Sequence, residues 1–405
     1  MKQIIILLLL SILWATAINA QTAKELYASG LAKYEQKDYK GASQDLGRAI
    51  ELNPAFSEAY HNRGLAKYYL KDYSGSLADQ DKAIELNPNY TNAFNDRGLV
   101  KLKQKNYESA IKDFDKAIEL NPSYPTAYNN RANAKYAIKD YPGAITDYGK
   151  SIELGPGKAD PYSGRGLARM AQKDYAGAVE DENRAIELNP NLAVAYVTRG
   201  NARFELKNND GALSDYNRVI VLQPDNSNVY FNLGRLYFSR SSSEDAIRNY
   251  RQYIILEPGQ WNGYKNMGDV YYTQLKNYDS SLYYYKRAYE INKSDKELLQ
   301  NYGYALLKQG KTADAIAMFN NEINLLPDDP WGYYNLAAAY SYNKQNKEAM
   351  ANLSIALEKK MTELGYWQDD VYLNNVRTTP EFSVLVRKYF TPEEIRKYPR
   401  IFVVR

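Results

Sequence analysis

Apolar and small residues recur along this chain with helical spacing, in short segments that are separated by polar turns. Within residues 91–124 this pattern predicts two helices, from Thr91 to Gln104 and from Tyr107 to Leu120. The positions that share one side are Ala93, Phe94, Arg97, Gly98 and Lys101 in the first helix, and Ala110, Phe114 and Ala117 in the second. Each helix is amphipathic and needs a neighbour to cover its apolar side.

The same two-helix unit returns every 34 residues. Proline closes successive units at Pro54, Pro88, Pro122, Pro156, Pro190, Pro224 and Pro258. Glycine marks the first helix at Gly30, Gly64, Gly98, Gly166, Gly200, Gly234 and Gly268, with Ala132 at the missing step. Gly303 and Pro327 are each displaced by one residue, which predicts a single-residue insertion in the turn at 275–278.

Polar residues predict where the helices begin and end. Asp38, Asp72, Asp140 and Asp174 each precede a tyrosine, where an aspartate can cap the second helix. Asn-Pro at 53–54, 87–88, 121–122 and 189–190 predicts its end, because the residue before a proline avoids the helical region. The glycine of the first helix is expected to face an alanine of the second, as Gly30 with Ala42 and Gly98 with Ala110, so that the two axes approach closely.

This arrangement resembles the tetratricopeptide repeat family, whose unit has 34 residues with small residues, aromatics and a final proline at fixed positions. Ten repeats are counted, beginning at Ala23, Ser57, Thr91, Pro125, Ala159, Ala193, Ser227, Trp261, Lys296 and Pro330. The resemblance implies an all-α, right-handed α-solenoid over residues 21–360. Residues 361–405, where the period is lost, are expected to form a helical segment that caps the last repeat.

The N-terminus has the order of a secretory signal. A lysine at position 2 precedes an apolar run from Ile4 to Trp14, and small residues end at Ala20. This run is shorter than the roughly 20 residues of a membrane span. Residues 1–20 are therefore predicted to be a signal peptide cleaved before Gln21. The mature protein is expected to have no membrane span and to be periplasmic or extracellular, in a Gram-negative bacterium.

Composition narrows the chemistry that the chain can carry out. It contains no cysteine and one histidine, His61, so thiolate catalysis and Cys/His zinc sites are excluded, and no metal or other cofactor is expected. The charges of the 52 basic and 48 acidic residues nearly cancel. The sequence has no block of basic residues that would indicate nucleic-acid binding. No phosphate-binding or dinucleotide-binding motif is present, so no enzymatic activity is expected.

Two sets of charged residues recur with the repeat. Arginine precedes the glycine, or Ala132 in its place, at Arg63, Arg97, Arg131, Arg165 and Arg199. Aspartate lies on the second helix at Asp45, Asp79, Asp113, Asp147, Asp181 and Asp215. One interpretation is a charged binding stripe. The favoured one is a structural ladder of ion pairs, because a guanidinium matches a carboxylate geometrically and the two sets are nearly equal in number. The pairs could form within a repeat or between neighbours.

The sixth residue of each first helix is expected to face a concave groove, and it is often asparagine. The candidate groove amides are Asn62, Asn130, Asn232, Asn266, Asn301 and Asn335, and the candidate groove aromatics are Tyr68, Tyr136, Tyr272, Tyr304 and Tyr334. An amide can bond a peptide backbone on both sides. The row is similar to asparagine ladders that hold extended peptides in the tetratricopeptide repeat family. The alternatives are that asparagine is merely common here and that the tyrosines pack between helices.

One known activity of the family is not expected here. The dicarboxylate clamp, with which some family members bind an acidic peptide end, needs lysine at position 5 and asparagine at position 9 of a repeat. Here position 9 is mostly leucine, and the repeat that has Lys265 at position 5 has Asp269 at position 9. The sequence therefore favours a non-enzymatic scaffold that binds a protein or an extended peptide in its groove, in envelope or cell-surface assembly. The alternative is an envelope enzyme or glycan-processing accessory, with its chemistry in the groove or in residues 361–405.

Overall fold

A computed structural model describes residues 21–402, and every regular element in that range is a helix. The predicted all-α fold of about ten helix pairs is confirmed. The predicted signal peptide, residues 1–20, lies outside the described residues. The chain divides into two compact units, one ending at Arg218 and one starting at Val219.

The first unit is a row of helix pairs in which each helix packs on the next one along the chain. Its helices are α1 (21–35), α2 (Tyr39–Leu52), α3 (Ser57–Tyr69), α4 (Tyr73–Leu86), α5 (Thr91–Lys103), α6 (Tyr107–Leu120), α7 (Pro125–Ala137), α8 (Tyr141–Leu154), α9 (Ala159–Ala171), α10 (Tyr175–Leu188) and α11 (Ala193–Glu205). The helix that follows, α12 (Asn209–Leu222), contains the boundary between the units.

The signals for helix ends act as the sequence predicts. The side chains of Asp38, Asp72, Asp140 and Asp174 each accept a hydrogen bond from the backbone N–H three residues later. Extended backbone at Asn53, Asn87, Asn121 and Asn189 ends the second helices. The turn inside each repeat has a feature that the sequence did not indicate: a residue with positive φ, usually lysine, as at Lys105 with φ 61° and at Gly310 with φ 68°.

The glycine of the first helix has a different neighbour from the one expected. A Cβ added at Gly98 would lie 2.7 Å from the Phe114 ring, and one at Gly30 would lie 2.7 Å from the Leu46 side chain. The large residue at position 24 of each repeat therefore fills the space over the glycine. The alanine at position 20 contributes at most a backbone contact, as Ala42 does through its carbonyl oxygen, 3.3 Å from the added Cβ of Gly30.

The second unit continues the helix pairs and then departs from them. Its helices are α13 (Ser227–Ser239), α14 (Ser243–Leu256), α15 (Trp261–Asp269), α16 (Tyr278–Ile291), α17 (Lys296–Lys308), α18 (Thr312–Leu325), α19 (Pro330–Tyr342) and α20 (Asn346–Glu358). Four short helices follow, α21 (Leu364–Asp369), α22 (Asn374–Arg377), α23 (Pro380–Tyr389) and α24 (Pro392–Arg396), with a 3-10 turn at Val371–Leu373.

The extra residue of the eighth repeat lies inside a helix rather than in the turn. Helix α15 ends in a π-helical turn, Val270–Gln274, and the N–H of Leu275 donates to the carbonyl of Val270. The positive-φ residue Lys276 is already displaced by one position, so the insertion precedes it. The predicted site at 275–278 is therefore wrong, because the helix absorbs the residue by widening one turn.

Residues 361–402, the C-terminal segment, cover the apolar side of the last repeat. Trp367, Leu373, Val376, Phe382 and Val386 are fully buried. They belong to one core cluster with the apolar side chains of α19 and α20. The segment thus forms a helical cap, as predicted, and it also forms one wall of a cavity that is described below.

Candidate binding surfaces

The repeated arginines and aspartates form ion pairs within each repeat. Arg131 donates from Nε and Nη2 to Asp147 at 2.8 and 2.6 Å. The same two-pronged contact joins Arg63 to Asp79, Arg97 to Asp113, Arg165 to Asp181 and Arg199 to Asp215. A lysine or arginine four residues after each of these arginines contacts the same carboxylate, as Lys135 does at 2.8 Å from Asp147.

Some of these arginines also reach the preceding repeat. Nη1 of Arg97 lies 2.7 Å from Asp81, Nη1 of Arg131 lies 2.7 Å from Asp115, and Nη1 of Arg199 lies 2.7 Å from Asn183. Gly47 and Gly149 stand at the corresponding positions opposite Arg63 and Arg165. The ladder therefore joins helices within a repeat and, at three steps, joins neighbouring repeats.

Most charged groups of the ladder already contact other side chains of the protein. The aspartates are buried, and each arginine lies over the aromatic ring three residues before it, as Arg131 does over Tyr128 at 5.4 Å. The carboxylates raise the pKa of Arg131 against the opposing effect of its burial. Among residues 21–402 no arginine forms an ion pair with Asp45 of the first repeat, which contacts Lys33 at 2.6 Å and Ser29 at 2.6 Å. These contacts support a structural role for the ladder.

The asparagines of the first unit are occupied by neighbouring side chains. Asn62 donates to the Tyr27 hydroxyl at 3.0 Å and to the carbonyl of Glu58 at 2.8 Å. Asn130 is buried and donates to the side chain of Asn95 at 3.1 Å. Asn130 therefore does not present the open amide that the sequence suggested, because the neighbouring repeat covers it.

The asparagines of the second unit differ in how far they are covered. Asn266 donates to the Tyr250 hydroxyl at 3.4 Å and Asn301 donates to Asp269 at 3.0 Å, and both are half-buried. Asn232 is also half-buried. Asn335 is buried, donates to Glu322 at 3.1 Å and accepts from the Tyr304 hydroxyl at 2.7 Å. The expectation of an open amide is therefore wrong for Asn335.

The candidate tyrosines pack against other rings. Tyr68 lies 5.8 Å from Tyr73, Tyr136 lies 5.5 Å from Tyr141, and Tyr272 lies 5.5 Å from Tyr278, measured between centroids. In each pair the partner is the first residue of the second helix in the same repeat. These three rings therefore stabilise the turn. Tyr304 and Tyr334 lie elsewhere, at the end of the second unit.

A small polar network explains why Lys265 is unsuited to a carboxylate ligand. Its ammonium lies 3.1 Å from Asp269 and 2.7 Å from Glu297, and the residue is buried. Asp269 also accepts from the Tyr285 hydroxyl at 2.7 Å. Burial raises the pKa of the Asp269 carboxyl, and Lys265 opposes that shift. Since Lys265 is already paired, it offers no free charge to an acidic peptide end.

A cavity of about 820 Å³ lies between the C-terminal segment and helices α17 and α19, which are the first helices of the last two repeats. We call it the terminal pocket. From α17 and α19 it is lined by Gln300, Tyr304, Trp331, Tyr334 and Asn335. From the C-terminal segment it is lined by Glu363, Tyr366, Asp369, Asp370, Tyr372 and Tyr398, among others. It brings Tyr304, Tyr334 and Asn335 together, three residues that the sequence predicted for a groove.

Hydrogen bonds fix the polar residues of the terminal pocket. The Tyr334 hydroxyl donates to Asp370 at 2.8 Å, and the backbone N–H of Tyr372 donates to the other carboxylate oxygen at 2.8 Å. Behind Asn335, Glu322 is fully buried and accepts from Asn335 and Gln300. Burial raises the pKa of both carboxyl groups, Asp370 and Glu322. The pocket wall at Asp370 and the layer behind it at Glu322 thus contain acidic groups in a setting that disfavours an unpaired negative charge.

Sequence reasoning missed half of this pocket, although one signal was present. Glu322 occupies position 27 of its repeat, where Ala49, Ala117 and Ala185 are fully buried in others. A glutamate at a buried position requires polar partners, and these are Gln300 and Asn335. The residues from the C-terminal segment carried no comparable signal, because they lie outside the repeat.

A metal-binding cluster and a membrane-spanning helix are both absent from the part of the chain that the structure describes. Residues 21–402 contain no group of three or more histidine, aspartate or glutamate side chains that could hold a metal ion. None of their helices is long and apolar enough to cross a membrane. His61 is buried, with Nδ1 3.0 Å from Gln80 Oε1 and Nε2 3.6 Å from Asp96, so its contacts are those of a packed side chain.

Comparisons with known proteins recover the same repeat. Family models described as tetratricopeptide repeat match residues 57–90, 91–124 and 231–296, and a model described as TPR repeat matches residues 30–71 and 200–239. Among solved structures, a tetratricopeptide repeat protein from Parabacteroides merdae ATCC 43184 is 17% identical, with a TM-score of 0.47. That match covers 62% of this chain and 99% of that one.

Two further solved structures match over different lengths. YrrB, described as a TPR protein with an unusual peptide-binding site, is 22% identical over 49% of this chain and 97% of that one, with a TM-score of 0.41. Tom70 from yeast is 18% identical over 93% of this chain and 99% of that one, with a TM-score of 0.43.

Proposed function

Because this chain belongs to the tetratricopeptide repeat family, whose members typically bind proteins or peptides and are generally non-enzymatic, we propose that it is a scaffold for an extended peptide segment of a partner protein. The observation that carries the proposal is the terminal pocket, a cavity of about 820 Å³ with aromatic and polar walls. Pockets of this size and lining suit side chains of a bound segment.

The half-buried amides of the second unit support binding of an extended backbone. Asn266 and Asn301 each use one N–H for a contact within the chain, and their amide oxygens accept no hydrogen bond among the described residues. A peptide N–H can donate to such an oxygen without regard to sequence. Asn266 and Asn301 are therefore proposed to hold the backbone, and the terminal pocket to hold a side chain.

A library of unstructured peptides displayed on phage, selected against the purified protein, tests this function. We expect related sequences to be enriched, and photo-crosslinks from them to map to the first helices α13, α15, α17 and α19. The variant Asn266→Ala/Asn301→Ala should weaken binding of an enriched peptide, with each lost bond costing about 0.5–1.5 kcal/mol. Matched alanine changes at Asn320, which is exposed on α18, and at Asn352, which is half-buried on α20, serve as the control. No enrichment, or crosslinks on the second helices only, would reject the proposal.

The site of action is proposed from residues 1–20, which lie outside the described residues. Their charged start, short apolar run and final Ala20 support export and cleavage, and hence a role in envelope or cell-surface assembly. The intact mass of the protein recovered from the periplasm or medium of a Gram-negative host tests this. We expect the mass of a chain that begins at Gln21. A mass that includes Met1 to Ala20 would contradict cleavage.

A further inference from the structure

The terminal pocket contains more negative than positive charge. Glu363, Asp369 and Asp370 line it, and of these Asp369 is paired with Arg400 at 2.9 Å. Asp370 accepts hydrogen bonds from Tyr334 and Tyr372, but no lysine or arginine among residues 21–402 forms an ion pair with it. A half-buried carboxylate without a cation is unfavourable unless a ligand supplies one.

Two basic residues lie near Asp370 without pairing with it. The Arg377 guanidinium donates to the backbone carbonyls of Arg400 and Ile401. The Lys308 ammonium lies over the Tyr372 ring, 5.4 Å from its centroid. The positive charges of Arg377 and Lys308 favour the ionised form of Asp370 from a distance. Neither side chain donates a hydrogen bond to Asp370 among the described residues.

The aromatic walls suit a flat cation. Trp331 meets Tyr366 and Tyr334 nearly at right angles, with interplanar angles of 88° and 80° and centroids 5.1 and 5.7 Å away. Tyr366 is 61% exposed, so one ring of this corner is open to a ligand. Guanidinium groups stack on such faces and are attracted by them.

One polar atom of the pocket lacks a partner. The hydroxyl of Tyr372 is buried and makes no hydrogen bond among the described residues, and Tyr372 itself is 8% exposed. Buried polar atoms are nearly always satisfied in folded proteins. Tyr372 and Asp370 both line the pocket, and a ligand with several N–H donors offers a partner to each of them.

We propose that the terminal pocket binds an arginine side chain of the peptide segment, in preference to lysine. The proposal rests on the proposed function and assigns its pocket a ligand chemistry. A guanidinium offers five donors in a plane, which matches one carboxylate, one hydroxyl and an aromatic face, whereas an ammonium is a strongly hydrated point charge. A neutral glycan would leave Asp370 without a cation, so the charge of the pocket favours a basic ligand.

Fluorine NMR of protein labelled with 5-fluorotryptophan reports on the pocket directly. Trp331 lines it, and its resonance among the three tryptophans of residues 21–405 is assigned with Trp331→Phe. The probes are the blocked peptides acetyl-Gly-Arg-Gly-amide, its lysine analogue and its citrulline analogue, which keeps the shape of arginine without its charge. We expect the arginine peptide to shift the Trp331 resonance most strongly, the lysine peptide less, and the citrulline peptide not at all.

Two variants test the contacts separately. Asp370→Asn should weaken binding of the arginine peptide at least about tenfold, because it removes a partly desolvated charge partner. Tyr366→Ala, at an exposed ring that is not part of the core, should weaken it severalfold even if Asp370→Asn disturbs the fold. Asp279→Asn, at an exposed carboxylate of α16, is the matched control and should leave the affinity unchanged.

The outcomes separate this proposal from the proposed function. Equal binding of the citrulline peptide, or no shift with any peptide, would overturn the arginine site. A shift with an oligosaccharide such as chitotriose but not with arginine would overturn it in favour of a glycan ligand. If the phage selection enriches peptides that lack basic residues, the scaffold function stands and the arginine site fails. If arginine peptides bind but no longer segment does, the scaffold function fails.

Discussion

Arg131 on α7 and Asp147 on α8 are joined by two hydrogen bonds of 2.8 and 2.6 Å, and the same guanidinium reaches Asp115 on α6 at 2.7 Å. One side chain therefore links three successive helices. Arg165, one repeat later, makes the contact with its own aspartate but faces Gly149 instead of an acid. The chain thus contains a natural comparison for the contact between repeats.

Replacement of the two arginines by lysine should have unequal effects. Arg131→Lys removes a planar group that serves two carboxylates, whereas Arg165→Lys removes one that serves a single carboxylate. Both should lower the free energy of unfolding, and Arg131→Lys should lower it further by about 0.2–1 kcal/mol, the usual range for an exposed pair. Denaturant titration of both variants measures the difference. Equal losses would show that the Asp115 contact contributes nothing.

The turn inside each repeat offers a second test. Lys105 has φ 61°, a conformation that costs a non-glycine residue roughly 1–2 kcal/mol, whereas the ninth repeat has glycine at the same position, Gly310. Lys105→Gly should therefore stabilise the protein by a few tenths to about 1 kcal/mol after the entropy of glycine in the unfolded chain is counted. Gly310→Ala should destabilise it. Thermal unfolding of both variants decides, and shifts of the same sign would contradict the argument.

The close contact between Gly98 and Phe114 predicts a local defect. Gly98→Leu places a large side chain where even a Cβ would come within 2.7 Å of the ring, and such overpacking typically costs about 1–3 kcal/mol. In a repeat protein the damage should stay near residues 57–158. Hydrogen exchange should show faster exchange there. Gly157→Leu, at a loop position with nothing within 4 Å, is the control, and unchanged protection in Gly98→Leu would mean that Phe114 can move aside.

The helix pairs were predictable because each repeat carries its own signals. The caps at Asp38 and Asp140 and the ends at Asn53 and Asn121 depend on residues a few positions apart, which sequence shows directly. The insertion was misplaced because a π-helical turn leaves no mark in composition. The position of the insertion depends on which carbonyl accepts the hydrogen bond from the N–H of Leu275, and the structure shows that this is the carbonyl of Val270.

The terminal pocket was not predictable for a different reason. Tyr334 and Asp370 are 36 residues apart, and only one of them lies in a repeat. Their contact depends on the path of the C-terminal segment, which the period does not govern. Similarly, the amide of Asn335 was expected to be open, but Glu322 and Tyr304 cover it. The identity of a groove residue therefore does not determine whether its polar atoms are available.

Glu182 on α10 stands at position 24, where other repeats place leucine, phenylalanine, tyrosine or glutamine. It is fully buried, one carboxylate oxygen lies 3.2 Å from the Ser163 hydroxyl, and the other has no partner among the described residues. Burial raises the pKa of this carboxyl to about 9, and nearby Asp181 adds to the shift while Ser163, Thr198 and Arg199 oppose it. Glu182 is therefore protonated in the folded protein at neutral pH.

The raised pKa makes Glu182 a source of instability that grows with pH. Below pH about 4.5 the side chain is protonated in both states and has no effect. Between about 4.5 and 9 the unfolded chain ionises while the folded chain keeps its proton, so stability falls as pH rises. At pH 7 this loss is on the order of 3 kcal/mol.

Glu182→Gln should remove that loss. The free energy of unfolding of the variant should therefore exceed that of the parent by an amount that grows as pH rises. Glutamine already occupies this position in the second repeat, where Gln80 donates to the carbonyl of His61 at 3.1 Å, so the amide fits the site. We expect the variant to match the parent near pH 4.5 and to gain stability steadily up to pH 8, measured by denaturant titration across that range. Glu180→Gln, at an exposed neighbour, should change stability little at any pH. A gain that is the same at every pH would mean that Glu182 titrates normally in the folded protein and that the glutamine acts through packing alone.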